Sequence, residues 1–327
     1  MYPELFEIPF IHVTVKSYGL MMVVGFLAAV SLIRYLSRNI TQDPQHITNA
    51  ALYSLIAGVV GARLFYVVHH GDQFRGSISS VFAIWQGGLE LLGGVVLAIA
   101  VIFFYLCYHK LPIRGYLDIL AIGLMLALVF GRIGCFLNGC CFGKPTELPW
   151  AVRFPYGSFA YQSQIYPDPK RNRARPQLEL PAEFSMQNNS GAGIQHQHLK
   201  PYDQLTPEQK RAVTHGRYRC LPVHPTQLYS SANAAALCLL LWLFWRRSQN
   251  AENSKMTHGL FTKPGSTFAL MFILYGIARF LIEFFRDDNP FEVGSLTISQ
   301  ILSIVLVGVG AALMALFCSM KPKVSGR

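Results

Sequence analysis

The sequence predicts an all-α polytopic membrane protein with about seven transmembrane helices, the N-terminus outside, the C-terminus cytoplasmic and an extracytoplasmic insert between spans 4 and 5. Three observations carry that expectation. Apolar residues make up 52% of the 327 and charged residues only 14%, against about 25% charged in an ordinary soluble domain. The apolar residues fall into runs close to the roughly 20 that an α-helix needs to cross a bilayer. Basic residues are distributed unequally between the loops that join those runs.

Taken in order, the runs cover residues 17–37, 48–69, 86–108, 114–135, 225–245, 264–285 and 296–318. Glu4 and Glu7 stand where a cleavable signal would carry positive charge, so the first run reads as a retained helix. Five connections are short. The fourth, 136–222, is long and polar, with Pro-rich pieces and the low-complexity stretch Gln187 to Gly193. The chain thus divides into 1–135 (helices 1–4), 136–222 (signature loop and insert) and 223–327 (helices 5–7). No internal repeat is visible.

Orientation follows from Lys and Arg in short loops. Eleven lie on one side: Arg34, Arg38, Lys110, Arg114, Arg246, Arg247, Lys255, Lys263, Lys321, Lys323 and Arg327. Three lie on the other: Lys16, Arg75 and Arg286. Long segments barely inform the rule, so the basic residues of the insert are set aside. The net charge of +11 calls for an anionic partner. Because the basic residues adjoin apolar spans, lipid headgroups fit better than nucleic acid. Seven cysteines are too few for a disulfide scaffold.

Ionisable groups inside spans cost about 2.5–3.5 kcal/mol each on insertion scales, so each needs a reason. With the orientation applied, Arg63, Tyr66, His69, His70, Glu90, Arg132, His224, Arg279, Glu283 and Arg286 all fall toward the outer side. Asp118 alone falls on the cytoplasmic side. Arg279, Glu283 and Arg286 have i, i+4, i+7 spacing, and Arg63, Tyr66 and His70 i, i+3, i+7 spacing, which places each set on one helix face. Four arginines against two glutamates leave excess positive charge, and guanidinium groups bind phosphate bidentately. A phospholipid headgroup is the expected occupant. The alternatives are a helix-joining Arg279–Glu283 ion pair and arginines that snorkel to the interface.

The segment Gly131-Arg132-Ile133-Gly134-Cys135-Phe136-Leu137-Asn138-Gly139-Cys140-Cys141-Phe142-Gly143 resembles the signature of the prolipoprotein diacylglyceryl transferases. Further matches follow the family's order: Tyr18-Gly19-Leu20, Gly61 to Tyr66, Trp85 to Leu89 with Gly93-Gly94, Pro149 to Val152, His224 to Tyr229, and Tyr275 to Arg286. The resemblance implies a bacterial enzyme, multi-pass in the cytoplasmic (inner) membrane, with its active site toward the extracytoplasmic face. Its partners would be phosphatidylglycerol and prolipoprotein signal peptides with a lipobox cysteine, whose thiol receives the diacylglyceryl group as glycerol phosphate leaves. It further implies that Arg132, Arg279, Glu283 and Tyr18 are catalytic, and that Arg132, Asn138 and Gly143 bind substrate. Arg63, Tyr66, His224 and Arg286 join the substrate-binding set from their outer-side placement. The chain departs from some members at Leu92, where they carry a proposed catalytic histidine, and at Cys135 and Ser230, where they have asparagine and glutamate.

The partner's thiol is the expected nucleophile, since a free thiol is already a few per cent ionised at neutral pH. His69, His70 and His224 remain candidate bases or ordinary interfacial histidines. No cofactor is expected. No metal is expected either, because His196-Gln197-His198 lacks neighbouring ligands. Lys170, Arg171, Arg173 and Arg175 read as a solvated basic run. A lipid or solute transporter with a headgroup site is the competing class, although repeats and broken helices would mark it. Cys220 could pair with Cys140 or Cys141 across the insert, or all three could stay reduced.

Overall fold

The computed structural model describes residues 4–8, 13–40, 43–74, 81–82, 90–186, 198–253 and 263–319. Its helices are α1 (Ser17–Ser37), α2 (Gln45–His69), α3 (Leu91–Tyr108), α4 (Ile113–Asn138), α5 (Phe159–Ile165), α6 (Pro207–Thr214), α7 (Thr226–Asn253), α8 (Ser266–Glu283) and α9 (Ile298–Ser319). Six of them, all but α3, α5 and α6, are long and apolar enough to cross a membrane. The chain is therefore a mainly helical, multi-pass membrane protein. The beginning of the run expected at 86–108, like Arg75, Trp85 to Leu89, His196-Gln197 and Lys321 onward, lies outside the described residues.

The sequence reading contained no strands, yet the described residues form three two-stranded antiparallel hairpins. They join β1 (Glu4–Ile8) to β2 (Val13–Lys16), β3 (Ser185–Met186) to β4 (His198–Leu199), and β5 (Phe291–Val293) to β6 (Leu296–Thr297). Each is short, and its signal is lost beside the long apolar runs.

The chain forms two compact units. One comprises Met1–Phe26, Met125–Leu241 and Ala269–Leu316; the other comprises Leu27–Leu124, Trp242–Phe268 and Phe317–Arg327. In the second unit, α2 and α3 pack through glycines. A Cβ on Gly61 would lie 2.5 Å from the Gly93 carbonyl oxygen, and one on Gly94 would lie 2.7 Å from that of Gly58. Without a hydrophobic drive between helices in lipid, small residues let backbones touch and gain dispersion contact. Asp118 of α4 is 4% exposed. Its carboxylate accepts the N–H groups of Gly265 (2.7 Å) and Phe268 (2.9 Å) at the start of α8. It thereby satisfies donors that a helix N-terminus leaves orphaned.

In the first unit, α1 meets α4 where a Cβ on Gly25 would come within 3.0 Å of the Ala127 carbonyl oxygen. α8 meets α9 where a Cβ on Gly276 would lie 2.8 Å from Val307. Residues of the long insert belong to this unit and are packed. Phe142, Phe154, Tyr161, Leu178, Cys220 and Val223 share one buried cluster, and Phe184, Leu205 and Val213 a second. The expectation of a solvated basic run is corrected in part. Arg173 pairs with Asp287 at 2.9 Å and donates to the Ser163 carbonyl at 2.7 Å, and Arg171 pairs with Asp168 at 2.8 Å. Lys170 and Arg175 are exposed.

All seven cysteines are free thiols. Of the two alternatives the sequence left open, the structure has the three reduced thiols: Cys220 forms no disulfide to Cys140 or Cys141. Its buried thiol donates to the Gln164 side-chain oxygen at 3.4 Å, and burial pushes its pKa up to about 11.

Candidate functional site

The site of the first unit is built on the exit of α4. Gly134 lets α4 lie against the first turn of α1, since a Cβ there would be 3.1 Å from Met21 and 3.3 Å from the Tyr18 ring. That contact brings Tyr18 to the turn of α4 that carries Arg132. The helix ends at Asn138. Gly139 follows with φ +78, the left-handed conformation that closes many helices and that glycine adopts without steric cost.

The chain beyond is pinned from two sides. The carbonyls of Cys140 and Cys141 accept from Gln227 Nε2 (2.7 Å) and Thr226 Oγ1 (2.8 Å) at the start of α7. Gly143 N–H donates to the His224 carbonyl at 3.2 Å, Lys144 N–H to that of Phe285 at 2.8 Å, and Asp287 N–H to that of Phe142 at 3.2 Å. A Cβ on Gly143 would meet His224 Cβ and its carbonyl oxygen at 2.6 Å. The glycine is thus required by close backbone approach, a reason independent of any ligand. The same weave holds His224 beside Phe285 with ring centroids 5.3 Å apart. His224 Nδ1 lies 3.2 Å from the Tyr229 hydroxyl, and burial lowers the histidine's pKa.

The end of α8 supplies a saturated ion pair. Glu283 is 4% exposed. Its Oε2 takes Arg279 Nη1 at 2.5 Å and lies 3.7 Å from Arg286 Nε. Its Oε1 accepts from Asn289 Nδ2 (2.6 Å) and Thr297 Oγ1 (2.8 Å). Arg279 also donates to Ser299 Oγ at 2.8 Å. Arg286 makes a two-point bond to Asp288, including Nε to Oδ1 at 2.7 Å. The expected single-helix stripe is corrected here, because α8 ends at Glu283 and Arg286 lies in the turn after it.

Arg132 is different. Its side chain is half-buried and makes no hydrogen bond or ion pair among the described residues. Its charge nevertheless acts on Tyr18, Cys141 and Arg279. The Asn138 side chain faces the Cys140 thiol. The Arg286 charge reaches the Cys141 thiol as well. The site therefore brings together a tied guanidinium (Arg279), a capped one (Arg286) and one that is open among the described residues (Arg132), with a tyrosine and an amide beside them. Such a set can receive a phosphate.

Arg63, Tyr66, His69, His70 and Glu90 belong to the second unit and form a cluster of their own. Arg63 is 7% exposed, donates to the Val81 carbonyl at 2.8 Å, and lies over the rings of Tyr66 and Phe74. Tyr66 stacks on His70 with centroids 4.3 Å apart. His69 Nδ1 meets Glu90 at 2.7 Å. These groups have local partners that account for them. Leu92 is 66% exposed, and its aliphatic side chain is neither an acid nor a base.

Sequence reasoning missed Asp287, Asp288, Asn289, Thr297 and Ser299. The acids counted against the arginines were therefore too few. One signal was present: Thr297-Ile298-Ser299-Gln300 is a capping box, with Thr297 N–H on Gln300 Oε1 at 3.0 Å and Gln300 N–H on Thr297 Oγ1 at 3.3 Å. It fixes the start of α9 and hence where Ser299 and Thr297 stand.

The family model described as prolipoprotein diacylglyceryl transferase matches residues 3–316. Proteins named phosphatidylglycerol–prolipoprotein diacylglyceryl transferase are similar over most of their length. That of Clostridium tetani is 27% identical, covering 95% of each chain. That of Thermosynechococcus vestitus is 27% identical, over 95% of this chain and 91% of its own. That of Xanthomonas oryzae pv. oryzae is 28% identical, over 93% and 88%. The chain belongs to the prolipoprotein diacylglyceryl transferase family.

Proposed function

We propose that this protein transfers the diacylglyceryl group of phosphatidylglycerol to the thiol of a lipobox cysteine in prolipoproteins, at the extracytoplasmic face of a bacterial inner membrane that it crosses seven times. Family membership supports the reaction. The observation that carries the site is Arg132: a half-buried guanidinium without a protein partner among the described residues, whose charge reaches Arg279. The loop excess of basic residues supports the orientation, with 136–222 outside.

The chemistry then follows from charge. The thiol sulfur attacks the glycerol carbon bonded to a phosphate oxygen. A C–S bond forms, the C–O bond breaks, the thiol proton passes to solvent, and glycerol phosphate leaves. The phosphate goes from a monoanionic diester toward a dianion, so negative charge grows in the transition state. Fixed guanidiniums stabilise that growth more than the ground state. Arg132 supplies the open fork, and Arg279, held by Glu283 and Ser299, supplies a second charge that does not reorganise. Glu283 is a positioning residue: its four partners leave it no role as a base. Tyr18 and Asn138 are headgroup donors. His224 and Gly143 hold the loop, Arg286 lends charge, and Arg63 with Tyr66 steadies the neighbouring segment.

The test is reconstitution. Purified protein in liposomes of diacyl-labelled phosphatidylglycerol, with a lipobox peptide, should yield a thioether-linked peptide and free glycerol phosphate. A peptide with serine for cysteine should yield neither. Labelled lipid that moves without thioether formation would instead support the transporter reading.

A further inference from the structure

The thiols of Cys135, Cys140 and Cys141 converge, and nothing in the transfer chemistry uses them. Their sulfur atoms all lie within 4.8 Å of one another. Cys135 is in the last turn of α4; the other two follow the left-handed Gly139. The backbone forces the meeting. The Cys135 carbonyl accepts both the Cys140 N–H (3.2 Å) and the Cys140 thiol (3.7 Å). Cys141 itself has φ +59, a left-handed conformation that is uncommon for a residue with a side chain. The Cys140 and Cys141 carbonyls are fixed by Gln227 and Thr226. Three thiols acting as small apolar residues would need neither that conformation nor this anchoring. The cluster is also reachable: Cys140 and Cys141 line a cavity of about 460 Å³ together with Gln162, Tyr166, Arg173 and Asp288.

The geometry points to a trigonal three-thiolate site for a soft monovalent cation, Cu(I), formed by Cys135, Cys140 and Cys141. Thiolate ligands select Cu(I) and Zn(II) among common ions. Structural zinc takes four ligands. Among the described residues no His, Asp or Glu joins the three sulfurs, and Asp288, which lines the same cavity, has both oxygens bound by Arg286. Around an ion at a metal–sulfur distance of about 2.3 Å, three sulfurs stand about 4 Å apart, so the cluster contracts by less than about 1 Å on binding. Each thiol releases one proton as its sulfur binds, and copper keeps its oxidation state. Three thiolates and one Cu(I) leave two negative charges. The site stands on this geometry and is independent of the transfer reading.

The full-length protein in nanodiscs, reduced and desalted without oxygen, is titrated with Cu(I) against a chromophoric Cu(I) chelator. The wild type should withdraw one equivalent and keep it in tenfold excess Zn(II). Cys135→Ser, Cys140→Ser and Cys141→Ser should each bind at least tenfold more weakly, whereas Cys220→Ser and Cys238→Ser should bind like the wild type. X-ray absorption on loaded wild type should show three sulfur neighbours, a readout that needs no variant to fold. No uptake above that of a protein carrying Cys135→Ser, Cys140→Ser and Cys141→Ser together, displacement by zinc, or two sulfur neighbours would each overturn the site.

Discussion

The two ends of α8 each meet a buried carboxylate, and the protein uses the two in different ways. At the start, Asp118 meets backbone N–H groups of Gly265 and Phe268. At the end, Glu283 meets Arg279, Arg286, Asn289 and Thr297. Both are 4% exposed, so burial does not separate them. Their partners do. A carboxylate that accepts the orphan donors of a helix terminus is accounted for by the fold. A carboxylate that fixes a guanidinium beside a second one with no partner among the described residues organises charge that the proposed transfer would use. An ionisable group at membrane depth is thus a functional signal only after its partners are known. Arg63, held by a carbonyl and two rings, falls with Asp118; Arg132 falls with Glu283.

Substitutions can break or sharpen that contrast. The largest effect on stability is expected for Arg279→Ala, which leaves Glu283 buried with its neutral partners Asn289 and Thr297 and with Arg286, at 3.7 Å, as its remaining charged partner; losing one partner of a buried pair costs about 3–5 kcal/mol. Thermal unfolding in detergent should show it, together with loss of transfer. Asp118→Asn should cost roughly 1–3 kcal/mol, because its amide group turns a donor toward backbone donors. Its transfer rate per folded molecule should stay near wild type; an inactive but equally stable Asp118→Asn protein would break the contrast. Gly143→Ala should cost about 1–3 kcal/mol through overpacking against His224, lowering the melting temperature without changing which lipid is used.

The smallest effect is expected for His224→Gln, which should retain measurable transfer. Burial lowers the His224 pKa, so the imidazole is neutral at pH 7. Its folded-state pKa lies below the unfolded value of about 6.5. Its contribution to stability is therefore present above that pH and is lost as the pH falls below it. A pH–rate profile with an inflection on the acid side of the ordinary histidine value that disappears in the variant would reinstate a base.

Much of this was legible in the sequence for definite reasons. The run 17–37 coincides with α1, and α2, α4, α7, α8 and α9 begin within three residues of their expected starts, because long apolar runs have few alternatives. Arg132, Arg279 and Glu283 stood out as costly charges within such runs. The packing inside 136–222 was not legible, because Phe142, Tyr161 and Cys220 share a core without any periodic spacing. The role of Asp118 was hidden too, since its partners lie 147 and 150 residues away. Asp287 and Asp288 were missed because they follow the run 264–285, and the acids weighed against the arginines were those inside the spans.

Arg132→Ala in the reconstituted transfer assay tests the central claim most directly. The variant should elute as a monodisperse membrane protein and lose transfer by roughly 10²–10³-fold, the usual loss when one fixed charge-stabilising donor is removed. Arg132→Lys should recover only part of that, since a point charge cannot form the bidentate fork. Wild-type turnover by folded Arg132→Ala protein would contradict the account.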